Sequence, residues 1–345
     1  LTIVSGDFIS PIKYTNIDGG KLVSKVLDAV PVDLAGFGNH EFDINPSKLN
    51  SSLESNFNTQ FVSTNIDSIS NTVKYYIFTE TKSNITIGFV GLCGEDFYHK
   101  YDIKFVDDLE INRTINYVLS HFNPNYLIGL THGSLQEDME FINLFPQIDI
   151  ILGGHIHSFD YTEYLGVPIV RTGENANSLF KIDFDNDGFY QINLIDISNV
   201  EIDPTIYKLY LEGEKEFDKF NHETLFYFDS LTPYSNLNPR TIPESFPTLL
   251  CSLITDYFDS DITLLNAGIF RTKKIFPPQS QFTFGDLQSM LPFPDQLIRI
   301  QMDVDDLILG IEYSNANYKG RGGYVQMDLS ITQLYLMKNL NTKLI

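Results

Sequence analysis

The chain has 345 residues, 43% of them hydrophobic, which is enough to bury a sizeable core and to build two domains. Its 23 basic and 45 acidic residues give a formal net charge of −22, which disfavours nucleic-acid polymers and anionic membranes as partners. No apolar run approaches the ~20 residues of a membrane helix. The two cysteines, Cys93 and Cys251, are too far apart in sequence for a ligand-spaced pair, and we expect both to be free core thiols.

In chain order, short apolar runs alternate with amphipathic helical patterns through the first half. The helical spacing of apolar residues predicts helices at Gly20–Val30 and Ile111–His121. The apolar runs that predict buried strands are Leu1–Val4, Ile85–Leu92, Tyr126–Leu130, Asp149–Leu152 and Pro168–Val170, with a further apolar run at Val32–Phe37. This alternation predicts a layered α/β domain.

The second half has a different pattern. Glu201–Asn221 is polar and charged and predicts a helix or linker, Tyr227–Pro247 predicts a loop, and a new α+β region follows from Thr248. We therefore expect a first domain at residues 1–200, a helical linker at 201–235 and a second domain at 236–345.

Asp183–Gly188 resembles the start of a calcium loop. Position twelve of that loop would be Leu194, which cannot chelate a cation. A polar hairpin turn is therefore the favoured interpretation.

Five polar residues follow apolar runs, and each lies beside a glycine or within three residues of one: Asp7, Asn39, His132, His155 and His157. Ligands bind beyond the carboxyl ends of strands in α/β sheets, so these side chains are expected to converge. Carboxylate, amide oxygen and imidazole are metal ligands, and bound cations would locally reverse the negative field that repels a phosphate ester. The sequence therefore predicts a metal site.

The motifs GD, GNHEFD, LTHG and GGHIH follow one another at Gly6, Gly38, Leu130 and Gly153. In this order they resemble the calcineurin-like metallophosphoesterases, and within them the 5′-nucleotidase group. The second half adds three similar segments, Asn266–Arg271, Phe284–Phe293 and Gly322–Met327. The resemblance implies a metallophosphoesterase-type layered β-sandwich flanked by helices, followed by a smaller α+β C-terminal domain of the 5′-nucleotidase type.

The resemblance also implies roles for the first-domain residues. Asp7 would bridge two divalent cations (Zn, Mn, Co, Mg or Fe). Asn39, His132 and His155 would complete one site, and His157 would belong to the other. His40, oriented by Asp43, would stabilise the departing phosphate or protonate the leaving oxygen. Glu41 is expected to be a solvated or helix-start residue.

The second domain is expected to hold the organic part of the substrate. Arg271 suits bidentate binding of phosphate, and Phe293 suits stacking on a flat base. Asn266 belongs to the same matched segment as Arg271. Arg240 is a further phosphate-binding candidate, although its spacing to Glu244 is one residue different from the family pattern.

Two parts of the family pattern are missing from the sequence. One is a first strand ending in Asp-x-His, and the other is a late segment with a second aromatic clamp. We therefore expect the chain to be part of a longer gene product and to be weakly active or inactive alone. The sequence fits a cytoplasmic or an exported protein equally, and it does not indicate the oligomeric state.

The expected activity is hydrolysis of nucleoside 5′-monophosphates or related nucleotides. A cyclic nucleotide, a nucleotide sugar or another small phosphoester is an alternative substrate. A non-catalytic nucleotide- or partner-binding protein is the alternative from another class.

Overall fold

The computed structural model describes residues 1–12, 15–56, 58–94, 103–185, 189–293, 295–329 and 333–334. The chain divides into two compact units, Leu1–Glu214 and Lys215–Ile345. Among the helices in the described ranges, none combines the length and the apolar composition needed to cross a bilayer.

The first unit contains two sheets and a separate hairpin. Its strands are β1 (Ile3–Ser5), β2 (Leu34–Gly36), β3 (Gln60–Val62), β4 (Thr72–Val73), β5 (Tyr76–Glu80), β6 (Ile85–Cys93), β7 (Tyr126–His132), β8 (Ile150–Gly153), β9 (Phe159–Tyr164), β10 (Val167–Thr172), β11 (Ser178–Phe184) and β12 (Tyr190–Asp196). One sheet is parallel with the order β1-β2-β3-β4. The other has the order β5-β6-β7-β8-β10-β9, with β6, β7, β8 and β10 parallel. β11 and β12 form an antiparallel hairpin.

The helices of this unit are α1 (Thr15–Asp18), α2 (Lys21–Ala29), α3 (Pro46–Asn56), α4 (Asp108–Phe122), α5 (Leu135–Leu144) and α6 (Pro204–Asn221), which contains the boundary between the units. Their ends follow local sequence rules. Asp107 caps α4 by accepting the Glu110 N–H, and Ser134 with Glu137 forms a capping box that starts α5 directly after the LTHG motif.

The two sheets pack face to face through an apolar layer that includes Leu34, Val62, Phe89 and Leu130. A second layer, containing Ile111, lies between the six-stranded sheet and helices α4 and α5. The expected layered β-sandwich flanked by helices is confirmed. The ligand-bearing strand ends come from both sheets of this sandwich.

The two sheets approach each other closely at Gly91 of β6. A Cβ on Gly91 would lie 2.2 Å from the Val62 carbonyl oxygen, so no other residue fits there. The carboxyl ends of β1 and β2 lie beside that of β7, since the Ser5 carbonyl oxygen is 2.7 Å from His132 Nδ1 and a Cβ on Gly36 would lie 3.5 Å from Leu130 Cβ.

The second unit is built from short antiparallel strand pairs and helices. Its elements are β13 (Thr224–Tyr227), β14 (Tyr234–Asn236), α7 (Ser245–Phe258), β15 (Leu264–Asn266), β16 (Lys274–Phe276), β17 (Gln281–Thr283), α8 (Phe284–Met290), α9 (Val304–Asn317) and β18 (Val325–Met327). β13 pairs with β17, β14 with β16 and β15 with β18. An aromatic core that includes Phe228, Phe246, Phe276 and Phe282 holds these elements together.

Each strand and helix predicted in the first half is present, and Cys93 and Cys251 are buried free thiols as expected. The loop prediction for Tyr227–Pro247 is wrong in part, since this stretch contains β14 and the start of α7. β14 has three residues and pairs with β16 about forty residues later, so its conformation depends on tertiary pairing. The predicted turn at Asp183–Gly188 joins β11 to β12, but residues 186–188 lie outside the described ranges.

Candidate metal centre

Asp7 lies in a left-handed turn directly after β1. Gly6 has a φ of +80° and Asp7 a φ of +56°, an uncommon conformation for a residue with a side chain. Asp7 Oδ1 accepts a hydrogen bond from the His40 backbone N–H at 2.9 Å, and Oδ2 lies 3.0 Å from His132 Nε2. The turn therefore places the Asp7 carboxylate in contact with residues of two other motifs, GNHEFD and LTHG.

His132 ends β7, and its side chain is only 2% exposed. Its Nδ1 lies 2.7 Å from the Ser5 carbonyl oxygen, an acceptor, so Nδ1 donates and, in the neutral ring, Nε2 carries the lone pair. A Cβ on Gly6, Gly38 or Gly154 would lie within 2.6 Å of a ring atom of His132. The glycines of three separate motifs thus permit their backbones to enclose this imidazole.

The ligand atoms of Asp7, His132 and His155 all lie within 4.8 Å of one another. Asn39 joins them, since its Oδ1 is 3.1 Å from His155 Nδ1. The structure therefore brings together the four residues expected to form one metal site. Their ligation of a metal stays a prediction.

The donors of this group fit a divalent cation. His132 Nε2 is buried and makes no hydrogen bond, although it is 3.0 Å from an Asp7 oxygen. A nitrogen lone pair facing a carboxylate is unfavourable unless a proton or a cation lies between them. One carboxylate, one amide oxygen and two imidazoles form a donor set that suits zinc, manganese or iron.

The pKa shifts of Asp7 and His155 favour metal binding, whereas the shift of His132 favours a proton on Nε2 in the metal-free protein. Burial would raise the pKa of Asp7, but close contact with His132 and the charge of His40 lower it to about 2. Burial would lower the pKa of His132, and contact with Asp7 raises it above the usual value. Burial and the charge of His132 lower the pKa of His155 to about 4, so this imidazole is neutral at pH 7 and able to bind a metal.

The sequence predicts that Glu41 is solvated or starts a helix. The prediction that it is solvated is wrong. Its side chain is fully buried in the 3-10 helix Asn39–Asp43 and accepts backbone N–H groups of Asp7, Phe8 and Gly38 at 2.7–2.8 Å. Burial and the nearby Asp7 charge raise the pKa of Glu41 to about 7. This carboxylate links the turn that carries Asp7 to the loop that carries Asn39.

His40 and Asp43 lie on the same side of that 3-10 helix. His40 Nδ1 is 2.8 Å from Asp43 Oδ2, which also accepts the Ser10 hydroxyl at 2.7 Å. The His40 backbone is fixed separately by its hydrogen bond to Asp7. The geometry therefore provides the carboxylate-oriented imidazole that the sequence predicted.

His157 follows β8, and its Nδ1 is 3.0 Å from the Oε2 of Glu174, which lies two residues after β10. Within the described residues, the group of converging metal-ligand atoms does not include His157. Glu174 was not identified from the sequence. The signal available was its position beside Gly173, directly after an apolar strand.

A buried ion pair lies beneath the two histidine-bearing loops. Arg171 on β10 is 1% exposed and binds Asp138 of α5, which is fully buried. Arg171 Nε also donates to the Gly154 carbonyl oxygen at 3.4 Å. Burial raises the pKa of Asp138 to about 6, against the lowering effect of the Arg171 charge. The pair thus connects the helix after LTHG with the GGHIH loop.

Replacing Arg171 with methionine leaves Asp138 buried without its partner. We expect the free energy of unfolding at pH 7 to fall by about 3–5 kcal/mol in urea denaturation. The matched control is Arg113→Met on α4, because Arg113 and Glu110 form an exposed pair. This control should change stability by less than about 0.5 kcal/mol. Equal effects of the two substitutions would contradict the structural role of Arg171.

In the second unit, Arg271 and Phe293 lie together, with the Arg271 guanidinium carbon 5.4 Å from the Phe293 ring centre. The Arg271 backbone N–H donates to the Met290 carbonyl oxygen at the end of α8. A cation over a ring is favourable at this distance. Two of the predicted substrate residues are therefore in contact.

Asn266 and Arg240 flank one segment, Gly320–Tyr324. Gly320 donates its N–H to the Arg240 carbonyl oxygen, and Ala267, next to Asn266, donates to the Tyr324 carbonyl oxygen. Gln326, in the GGYVQM motif, is 1% exposed and donates to the Ile242 carbonyl oxygen at 2.7 Å. Gln326 therefore fixes the turn that carries Arg240, a role that the sequence did not indicate.

Two family models match the chain. The calcineurin-like phosphoesterase model matches residues 1–159, and the 5′-nucleotidase C-terminal domain model matches residues 231–333. The first match contains all five candidate metal ligands, and the second contains Asn266, Arg271, Phe293 and Arg240.

Known proteins are similar to the chain over most of its length. The trifunctional nucleotide phosphoesterase protein YfkN of Bacillus subtilis is 23% identical over 97% of this chain, which spans only 26% of that protein's length. The crystal structure of a 5′-nucleotidase precursor from Thermus thermophilus has a TM-score of 0.77 at 18% identity, covering 95% of this chain and 71% of that one. The sulfate thiohydrolase SoxB of Thermus thermophilus has a TM-score of 0.74 at 14% identity, covering 96% and 66%. At these identities the two structures show the shared fold.

Proposed function

The chain belongs to the 5′-nucleotidase family of the calcineurin-like phosphoesterases, and from that membership we propose that the full-length protein hydrolyses phosphate monoesters of nucleotides at a dinuclear divalent-metal centre. The observation that carries the proposal is the convergence of the Asp7, His132 and His155 ligand atoms within 4.8 Å. Asn39 would join the residues that hold the first metal, and Asp7 and His157 would contribute to the second.

Divalent metal bound at this centre supplies Lewis acidity to the phosphoryl group and to the attacking water. The chain's own residues orient the other participants. His40, held by Asp43 at 2.8 Å, donates a proton or a hydrogen bond to the leaving oxygen as its charge develops. Glu41 holds the left-handed turn at Asp7 by accepting its backbone N–H at 2.8 Å.

In the second unit, the proposal assigns phosphate contacts to Arg271 and Arg240, a polar contact to Asn266 and base stacking to Phe293. The Arg271–Phe293 contact supports this assignment, since it combines a cation and an aromatic face in one place. Nucleoside 5′-monophosphates and related nucleotides present both an anionic group and a flat base. They are therefore the substrate class that these residues favour.

The proposal is tested by assaying phosphate release from the full-length protein with manganese. The panel contains nucleoside 5′-monophosphates, a cyclic nucleotide, a nucleotide sugar and a glycerol phosphate. We expect the highest kcat/KM on nucleoside 5′-monophosphates and no turnover after chelation. Phe293→Ala should raise KM for nucleotides by about 5–150-fold, because stacking contributes about 1–3 kcal/mol per base, and should leave glycerol phosphate unaffected.

The other outcomes identify the alternatives. A higher kcat/KM on the cyclic nucleotide or the nucleotide sugar would replace the proposed substrate class while keeping the centre. Nucleotide binding without any hydrolysis would contradict the proposal in favour of a non-catalytic nucleotide-binding protein.

A further inference from the structure

The ends of two neighbouring parallel strands, β8 and β10, place a histidine beside a carboxylate. Ile169 of β10 is paired with Ile151 of β8, so both strands end at the same edge of the sheet. His157 Nδ1 then lies 3.0 Å from Glu174 Oε2, and the two side chains are 34% and 40% exposed.

Glu174 lies in the connection between β10 and β11, residues 173–177, here called the corner. The corner lies against the backbone of the loop that carries His157. Gly173 has a φ of +83°, and a Cβ at this position would lie 3.3 Å from Phe159 N and 3.5 Å from the His157 carbonyl oxygen. The Ser178 hydroxyl closes the corner by donating to the Thr172 carbonyl oxygen at 2.6 Å. This close approach at Gly173 fixes the position of the adjacent Glu174 backbone relative to His157.

Two further residues of the corner have left-handed backbones, Asn175 with a φ of +61° and Ala176 with a φ of +50°. This conformation is costly for alanine, by roughly 1 kcal/mol or more, and persists only where the surrounding structure imposes it. The corner is therefore a defined conformation that presents Glu174 to the His157 ring.

A carboxylate accepts hydrogen bonds and cannot donate one when ionised, so Glu174 requires a proton on His157 Nδ1. In a neutral imidazole this places the lone pair on Nε2. We propose that Glu174 is a positioning residue that holds His157 in this tautomer and orientation for metal binding through Nε2. The inference rests on the proposed function for the metal, while the tautomer is a property of the metal-free protein.

Carboxylates that bind the second nitrogen of a ligand histidine orient the ring and increase its basicity, and their removal lowers metal affinity about 10–100-fold. The same carboxylate could instead bind the metal directly. The position of Glu174 favours the positioning role, because its Oε2 is already engaged with the imidazole nitrogen. A glutamine at this position separates the two roles, since its amide oxygen still accepts the Nδ1–H but is a poor metal ligand.

The first experiment records long-range ¹H–¹⁵N correlations of the histidine rings in the metal-free, full-length protein at a pH where imidazole is neutral. The His157 signals are assigned by their loss in His157→Gln. We expect the Nδ1–H tautomer in the wild type and in Glu174→Gln. In Glu174→Ala we expect a shift towards the Nε2–H tautomer, which free histidine favours. The control is Glu163→Ala, an exposed carboxylate on β9 that should leave the tautomer unchanged.

The second experiment titrates manganese into the same proteins. Glu174→Ala is expected to lower the affinity of one metal site about 10–100-fold, and Glu174→Gln much less. An Nε2–H tautomer in the wild type, or an unchanged tautomer in Glu174→Ala, would overturn the proposal. Equal losses of metal affinity in Glu174→Gln and Glu174→Ala would also overturn it, by making Glu174 a direct ligand.

The two experiments separate this inference from the proposed function. A wild-type protein that binds no manganese contradicts the dinuclear centre. The tautomer measured without metal still decides whether Glu174 holds the ring.

Discussion

Replacing Asp7 with asparagine is expected to lower kcat/KM of the full-length protein on a nucleotide monoester by about three orders of magnitude or more. The reason is that Asp7 supplies the negative charge of the centre and is the residue proposed to bind both metals. Metal-dependent charge stabilisation contributes several kcal/mol to such reactions, and about 1.4 kcal/mol corresponds to a tenfold change in rate. Steady-state kinetics at saturating manganese measures the effect.

The asparagine also tests the local electrostatics. An amide oxygen can still accept the His40 backbone N–H, so the turn after β1 should persist. His132 loses the carboxylate whose contact raises its pKa. The control is Asp67→Asn, because Asp67 is an exposed carboxylate of the same unit that pairs with Lys74. Retention of full activity by Asp7→Asn would remove Asp7 from the centre.

Replacing His40 with asparagine is expected to lower kcat by about 10²–10⁴-fold while leaving the number of bound metals unchanged. The ring is oriented by Asp43, and its proton meets the charge that develops on the leaving oxygen. An asparagine keeps a hydrogen-bond donor but cannot transfer a proton as imidazolium does. Kinetics combined with metal analysis of the same preparations tests both parts.

Two further variants make this result specific. Asp43→Asn should give a smaller loss of kcat, because the ring of His40 remains but is oriented less well. His121→Asn should have no effect, since His121 is an exposed residue of α4 that stacks on Tyr117. An unchanged kcat in His40→Asn would show that the leaving oxygen is stabilised by another group.

The candidate centre was predictable from sequence to a large extent because its residues follow a local rule. Asp7, Asn39, His132 and His155 each come at the end of an apolar run and next to a glycine. Parallel strands bring such ends to one edge, and the glycines permit the close backbone approach seen around His132. The packing of two sheets into one site required the family resemblance, since strand periodicity does not show which sheet a strand joins.

The burial of Glu41 could not be predicted, because it depends on a contact with the turn after β1, more than thirty residues away in sequence. In a short helix, an acidic residue near the first turn is ordinarily solvated. Here the left-handed turn at Asp7 exposes several backbone N–H groups at once, and a buried carboxylate satisfies them. No sequence pattern indicates that these backbone N–H groups converge on one carboxylate.

The same limit applies to Arg171–Asp138 and to His157–Glu174. Each pair joins side chains from different elements. Arg171–Asp138 forms because β10 and α5 are neighbours in the fold, and His157–Glu174 forms because β8 and β10 are neighbours. The extended conformation of β14 likewise depends on a tertiary contact, its antiparallel pairing with β16. Pairings of this kind come from tertiary contact, which composition and periodicity do not encode locally.

The central claim is that Asp7 belongs to a centre that holds two divalent cations. Equilibrium dialysis of the full-length protein against manganese, with electron paramagnetic resonance of the bound ions, tests it most directly. The account predicts two bound ions whose signals are magnetically coupled, and loss of the coupling with reduced binding in Asp7→Asn. A single ion, none, or two uncoupled ions that persist unchanged in Asp7→Asn would contradict it.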